Sequence, residues 1–334
     1  MGGGKTEGSD RMDYTILGRT GLRVSVAGLG CGGFSRLGMA TGKTEAESVA
    51  LVKLAIDSGI TLIDTAANYG TEPIVGKAIQ GFPRDSIVLA TKALIVRNDV
   101  TVPPEKIVES LENSLRVLGT DHIDVFQLHG VPQAHYDHAI NHIVPPLLRA
   151  KEQGKFRFLG ITENGSKDLN HEVLGRAVDD KVFDVAMVAF NMLHRTAIDH
   201  LFPRTIPEGV ATLVMHAVRN IFARPELLAA AIRDLAAAGR VSAELGENPR
   251  PLDFLVHPGG AESVTDAAYR FARYEPGVSV VLFGTGSPEH LKANIASLTR
   301  PPLPPEDRAK LLELFRDVSG LGLEDPSSTR PKAA

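Results

Sequence analysis

The feature that most constrains this chain is an eightfold recurrence of short apolar runs rich in β-branched residues, at 26–29, 62–63, 87–90, 123–128, 158–161, 185–188, 211–215 and 278–283. Between them lie stretches with apolar residues at three-to-four spacing, such as 44–58, 104–118, 143–154 and 266–274, with Thr44 and Asp266 as the expected N-caps. Runs that are apolar throughout, rather than alternating, belong to strands buried on both faces, which are parallel strands crossed over by helices. Eight such units in about 260 residues predict an α/β fold of the (β/α)8 kind, a TIM barrel, in preference to an open doubly wound sheet. An open dinucleotide-binding sheet also carries Gly-x-Gly-x-x-Gly after its first strand. The run Gly28-Leu-Gly30-Cys-Gly32-Gly33 lacks that spacing.

Residues 14–26 hold two β-prone runs around Gly18 and Gly21, the composition of an N-terminal β-hairpin. The interval 219–276 exceeds the needs of one crossover helix and predicts a long insertion before the eighth strand, a loop rimming the barrel mouth. A single barrel domain is expected over 12–320, with flexible termini at 1–11 and 321–334. At 334 residues and 43% hydrophobic content there is apolar material for one large core. A net charge of −4 gives no electrostatic basis for binding nucleic acid or an anionic membrane, so small molecules are the expected partners. Cys31 is the only cysteine, which excludes a disulfide framework and a cysteine metal cluster. No run approaches the roughly 18 apolar residues of a membrane span, and residues 1–10 lack the apolar core of a signal peptide, so a cytoplasmic location is expected. Gly2 and Thr6 satisfy the loose myristoylation pattern, but a flexible leader is the simpler reading of so short a match.

The active site of such a barrel is built where the strands end. Asp64 ends the second apolar run with Tyr69 five residues on, Lys92 follows the third, His129 the fourth, and Thr162 and Glu163 the fifth. An acid, a phenol, an ammonium and an imidazole in one mouth suit protonation of a carbonyl oxygen while hydride attacks its carbon. Lys92 is expected to lower the tyrosine pKa, Asp64 to hold Lys92 charged, and His129 to hydrogen-bond the carbonyl oxygen. Any one of the four alone reads equally well as a structural ion pair or loop contact; their arrival together on successive strands carries the functional reading. Since no side chain supplies hydride, a bound cofactor is expected to supply it. His135, His138 and His142 recur at helical spacing, and without cysteines nearby they read as a solvated face, with no metal site expected.

Over 14–320 the chain resembles the aldo-keto reductases. The resemblance rests on Leu17-Gly-Arg-Thr-Gly-Leu-Arg-Val-Ser25, Gly59-Ile-Thr-Leu-Ile-Asp-Thr-Ala-Ala-Asn-Tyr-Gly70, Ala90-Thr-Lys92, Asp121-His-Ile-Asp-Val-Phe-Gln-Leu-His129, Gly154-Lys-Phe-Arg-Phe-Leu-Gly-Ile161 and Gly284-Thr-Gly-Ser-Pro-Glu-His-Leu-Lys-Ala-Asn294. It implies a nicotinamide-dependent oxidoreductase interconverting a carbonyl and an alcohol, with Asp64, Tyr69, Lys92 and His129 as the catalytic tetrad. It further implies cofactor contacts from Gly33, Phe34 and Asp64 at the first strand ends, and from Gly284, Thr285, Gly286, Ser287, His290 and Asn294 around a phosphate-binding helix start. Thr162 and Glu163 stand where the family usually has Ser-Asn gripping the carboxamide, and Met187 where a glutamine is common. The expectation is that ionised Glu163 accepts from the carboxamide NH2 and favours the oxidised ring, while Asn164 donates to its oxygen. Met215 stands where an aromatic ring commonly stacks, with His216 beside it and Arg219 toward the phosphates. His290 replaces the arginine typical of NADPH-preferring members, so NADP is expected from family habit and NAD stays open.

The resemblance also includes channel-associated β-subunits, so a cofactor-binding regulatory subunit is the second reading. A Schiff base on Lys92 is a third, disfavoured because Asp64 keeps the lysine charged. A mouth edged by Phe34, Phe126, Phe222 and Phe254 would suit an apolar or cyclic carbonyl compound.

Overall fold

The computed structural model describes residues 12–323. The eight apolar runs become parallel strands: β1 (Ala27–Gly30), β2 (Leu62–Asp64), β3 (Val88–Leu94), β4 (Ile123–Val131), β5 (Phe156–Glu163), β6 (Val185–Ala189), β7 (Ala211–Met215) and β8 (Val280–Phe283). They close in chain order into a (β/α)8 barrel, β8 pairing back onto β1 through Leu282↔Gly28 and Phe283↔Leu29. Burial on both faces follows from the pleat. Leu62, Val88, Val125, Val185, Leu213, Val280 and Leu282 fill the interior, while Leu29, Ile63, Leu89, Phe126, Leu159, Val188 and Val214 face outward beneath the helices. The interior leaves no room at β1. A Cβ on Gly28 would lie 2.6 Å from Leu282 Cδ2 and 3.0 Å from Leu62 Cδ2.

The crossover helices include α1 (Glu45–Asp57), α2 (Glu72–Ile79), α3 (Pro104–Leu118), α4 (Val144–Glu152), α5 (Glu172–Asp179) and α6 (Phe202–Glu208). Thr44 caps α1 in a capping box, its hydroxyl accepting from Glu47 N–H while its own N–H donates to Glu47 Oε2. At the N-terminal side, Tyr14–Ile16 pairs antiparallel with Arg23–Ser25. Leu17 and Val24 of this hairpin join the interior cluster, closing the end of the barrel opposite the strand C-termini.

Between β7 and the crossover helix ahead of β8 the chain forms helix Asn220–Ala223, α7 (Pro225–Ala237) and helix Ala243–Glu247, where the sequence suggested a loop. Leu228, Ile232 and Leu245 are buried and anchor them. The crossover helix itself, α8 (Val264–Arg273), is capped by Ser263 rather than by Asp266. Asp266 is buried within its first turn, where its carboxylate takes Arg270 at 3.2 Å and Arg300 at 2.9 Å. After β8 come α9 (Pro288–Thr299) and α10 (Pro305–Leu314). Residues 321–323, expected to be part of a flexible tail, are packed: Asn191 Nδ2 donates to Leu321 O at 3.2 Å and Leu323 is buried. The remaining tail, 324–334, and the leader with Gly2 and Thr6 lie outside the described residues. No helix among the described residues is long and apolar enough to cross a membrane.

Replacing Gly28 by alanine is expected to overpack the closed interior and cost about 1–3 kcal/mol in denaturant unfolding. A loss below about 0.5 kcal/mol would show that the interior tolerates a side chain there.

Candidate active site

The site starts from the buried end of β2. Asp64 sits there with Lys92 of the neighbouring β3, whose Nζ donates to Asp64 Oδ1 and Oδ2 at 2.7 and 2.6 Å and to Thr65 O at 2.9 Å. Gln127 Nε2 on β4 donates to Asp64 Oδ1 at 3.1 Å. Past β2 the chain doubles back, Tyr69 N–H donating to Ala66 O, and this turn brings the phenol over the mouth. Gly32 makes the room: a Cβ there would meet the Tyr69 ring at 2.4 Å. Lys92 Nζ lies 5.1 Å from the centre of that ring, and Tyr69 OH is 3.4 Å from His129 Nε2. All four residues of the tetrad inferred from the sequence are therefore neighbours.

Burial governs their protonation. It works against the Lys92 charge, but the Asp64 carboxylate beside it opposes burial through both charge and hydrogen bonds, and the ammonium is held above the usual lysine range. Burial also pushes the Asp64 carboxyl up while Lys92 pulls it back. The expected lowering of the Tyr69 pKa is not what the geometry gives. Desolvation raises it, and the opposing pull of Lys92 is the smaller effect. The resting phenol is thus protonated, with the Lys92 ammonium near its ring. Burial, aided by Lys92, drops His129 to about 3, so its imidazole is neutral. Cys31 is buried behind the tetrad, which pushes its thiol up and leaves it unreactive.

Above the tetrad opens a cavity of about 810 Å3, within the range of small-molecule and cofactor sites. Of the residues expected to contact a cofactor, Gly33, Phe34, Thr162, Glu163, Asn164, Met187, Met215, His216 and Arg219 line it. Asn68, Arg36, Gly165, Ser166 and Leu323 line it as well; Asn68 lies within the 59–70 segment that carries the resemblance, while no periodicity or motif points to the other four. Of the four phenylalanines assigned to the mouth only Phe34 is there: Phe126 and Phe222 are buried, Phe126 against Phe156 under the helices. Gly284, Thr285, Gly286, Ser287, His290 and Asn294 lie on the adjoining β8 loop and the start of α9. A Cβ on Gly286 would sit 2.5 Å from Gly38 Cα in the loop after β1. Ser287 caps α9, accepting from His290 N–H at 3.2 Å. Its hydroxyl also donates to Glu289 Oε2 at 2.6 Å, putting a carboxylate beside the phosphate-binding helix start that the sequence suggested.

Glu163 departs from expectation. Its side chain does not reach into the cavity to accept from a carboxamide; it is fully buried behind the wall, where His171 Nδ1 lies 3.0 and 2.9 Å from its two oxygens and Ala189 N–H donates to Oε1 at 2.8 Å. A carboxylate leaves water only with such partners. Thr162 Oγ1 accepts from Gly130 N–H at 2.6 Å and keeps its own proton to donate. The donor set fits a nicotinamide cofactor: the Thr162 hydroxyl and Asn164 amide beside the tetrad, Arg219 farther along, and a buried His216 Nδ1 without a protein partner among the described residues.

A model described as the aldo/keto reductase family matches residues 28–315. The chain is 32% identical over 158 residues to L-galactose dehydrogenase of Arabidopsis thaliana, covering 46% of this chain and only about half, 49%, of that relative. It is 29% identical over 331 residues to aldo-keto reductase YhdN of Bacillus subtilis (strain 168), covering 92% and 95% of the two chains. Among solved structures, the holo form of aldo-keto reductase AKR11C1 from Bacillus halodurans gives a TM-score of 0.70 at 24% identity over 92% of this chain and 98% of that one. The aldo/keto reductase from Klebsiella pneumoniae in complex with NADP and acetate gives 0.64 at 22% identity, covering 90% and 95%. At these identities the two structures speak to the fold.

Three imidazoles, His129, His194 and His216, are held neutral at about 3, in each case chiefly by burial. In the unfolded chain each takes a proton near the ordinary histidine value of about 6.5. Their folded values are depressed, so the unfolded state binds more protons below about 6.5, and stability present above that pH is lost as pH falls toward 3. Urea midpoints are expected to fall steadily below pH 6.5, with the His129 ring showing no titration by NMR between pH 5 and 8. A His129 midpoint near 6 would contradict the burial assigned to it.

Proposed function

The chain belongs to the aldo/keto reductase family, and from that premise we propose that it reduces an aldehyde or ketone to the alcohol, or runs the reverse reaction, with NADP as its cofactor. The observation that carries this reading is the Tyr69 hydroxyl, 3.4 Å from His129 Nε2 and backed by the Lys92–Asp64 pair at the floor of an open cavity.

When bound, the nicotinamide supplies the hydride. The chain supplies the proton and the place for it. Tyr69, kept protonated by burial, gives its hydroxyl proton to the substrate oxygen as negative charge develops there. The Lys92 ammonium favours the phenolate that results, so its effect is larger in the transition state than in the resting enzyme. Neutral His129 orients the carbonyl through Nε2. Asp64 keeps Lys92 charged and aimed, a role that needs no contact with substrate. Cofactor contacts are assigned to Thr162, Asn164, Met187, Met215, His216 and Arg219 at the cavity wall, and to Gly284 through Ser287, His290 and Asn294 for the phosphates. The Klebsiella pneumoniae structure is a complex with NADP, and we assign the additional phosphate to the capped N-terminus of α9 beside His290, which stands where NADPH-preferring members typically have arginine.

Tyr69→Phe is expected to lower kcat by about 10²–10⁴ on small aldehydes and cyclic ketones while the Kd for NADPH moves less than about twofold. Tight NADPH binding without turnover on any carbonyl would instead support a regulatory, cofactor-binding role. A kcat/KM with NADH equal to or above that with NADPH would overturn the cofactor assignment.

A further inference from the structure

The wall behind the nicotinamide region contains an ionisable pair that the tetrad does not use. Neither the Glu163 nor the His171 side chain has accessible surface. Thr196 Oγ1 donates to Leu169 O at 2.6 Å, so at 2.9 Å it accepts from His171 Nε2, and that nitrogen carries a proton. His171 Nδ1 then faces both Glu163 oxygens almost equally, at 3.0 and 2.9 Å. One proton is shared between carboxylate and Nδ1, so the pair is neutral whichever partner holds it. The backbone bends to make this contact: His171 lies at φ 59, the left-handed region, at the N-cap of α5.

The pair is close to the cavity. Gly165 lines the cavity, and a Cβ there would lie 2.5 Å from Ala189 Cβ and 3.8 Å from Glu163 Oε1. The carboxylate thus lies next to a residue of the cavity wall that has no side chain, beside the space assigned above to the nicotinamide. The oxidised ring carries a positive charge and the reduced ring none, so an unpaired carboxylate at that depth would bind the oxidised form preferentially. Resting on that nicotinamide assignment, we propose that His171 is a positioning residue that keeps this wall neutral and so sets the balance of affinity between oxidised and reduced cofactor.

The other ionisable groups facing the pair are accounted for. Asp168 accepts from Glu172 and Val173 N–H at the start of α5. Arg195 is turned away to Met192, Leu311 and Phe315 carbonyls. The His194 ring is 5.3 Å from that of His171, its Nδ1 accepting from Gly320 N–H at 3.0 Å. Burial holds it and His216 neutral.

The test is calorimetric titration of NADP+ and NADPH between pH 6 and 9, read as the ratio of the two Kd values so that effects common to both forms cancel. In the unmodified protein the ratio is expected to be flat. In His171→Gln it is expected to shift at least tenfold toward the oxidised form as the lone Glu163 ionises, and to be flat again in the Glu163→Gln/His171→Gln double variant. Glu163→Gln alone replaces a neutral pair with a neutral one, its amide able to accept from Ala189 N–H and donate to Nδ1, and should match the unmodified ratio. A flat ratio in His171→Gln overturns the proposal. If that variant does not fold, a tenfold shift toward the reduced form in Glu163→Gln overturns it instead, because it would mean the native wall is charged. Failure of the unmodified protein to bind either cofactor would overturn the nicotinamide assignment itself.

Discussion

The site depends on the buried ion pair between Lys92 and Asp64. Both residues are almost wholly out of water, and removal of one partner from such a pair costs roughly 3–5 kcal/mol because the other is left as an uncompensated charge. The pair is tolerable only because Thr65 O and Gln127 Nε2 complete its hydrogen bonding. The barrel supplies those partners by setting β2, β3 and β4 side by side, Asp64 opposite Ala90 and Lys92 opposite Gln127. A positive charge fixed this way sits behind Tyr69 and near His129. The same charge opposes the burial that keeps the phenol protonated and helps to keep the imidazole neutral. The fixed charge and its two neighbours, Tyr69 and His129, thus come together through adjacent strand ends.

A second buried pair, Glu163 with His171, follows the same rule at the end of β5, two strands on from Lys92. In the reading proposed above, the Lys92 charge serves the reacting oxygen, while His171 cancels the charge of Glu163 in the wall behind the nicotinamide region. The histidine network behind that wall continues through His194 to the backbone at Gly320, which ties the packed segment 320–323 to the end of β6. Leu323 reaches the cavity by that route.

The barrel was legible because its strands are buried on both faces, so each appears as an unbroken apolar run, and the tetrad was legible because strand ends mark the mouth. What escaped depended on contacts distant in sequence. The helices of 219–263 have weak local signals and are held by Leu228, Ile232 and Leu245. Asp266 looks like a cap by position, but Arg270 and Arg300 take its carboxylate. Glu163 reads as a cavity carboxylate until His171, eight residues on in a left-handed turn, folds back to claim it. The sign of the Tyr69 shift was equally hidden, because desolvation is a property of the packed site and proximity to Lys92 alone points the other way. Residues 321–323, Leu-Gly-Leu, are too short a run to carry a periodic signal, and their packing rests on contacts with Asn191 and the cavity.

The most direct test of the central claim is isotope transfer. NADPH deuterated at the reactive carbon of its ring would be incubated with an aldehyde, and the alcohol analysed by mass spectrometry for the unmodified protein and for Lys92→Met, with cofactor binding to each measured in parallel. One deuterium per alcohol in the unmodified protein, and a rate at least a hundredfold lower in a Lys92→Met variant that still binds NADPH, is the result the ion-pair account predicts. Alcohol formed without deuterium, or transfer at an undiminished rate in Lys92→Met, would contradict it.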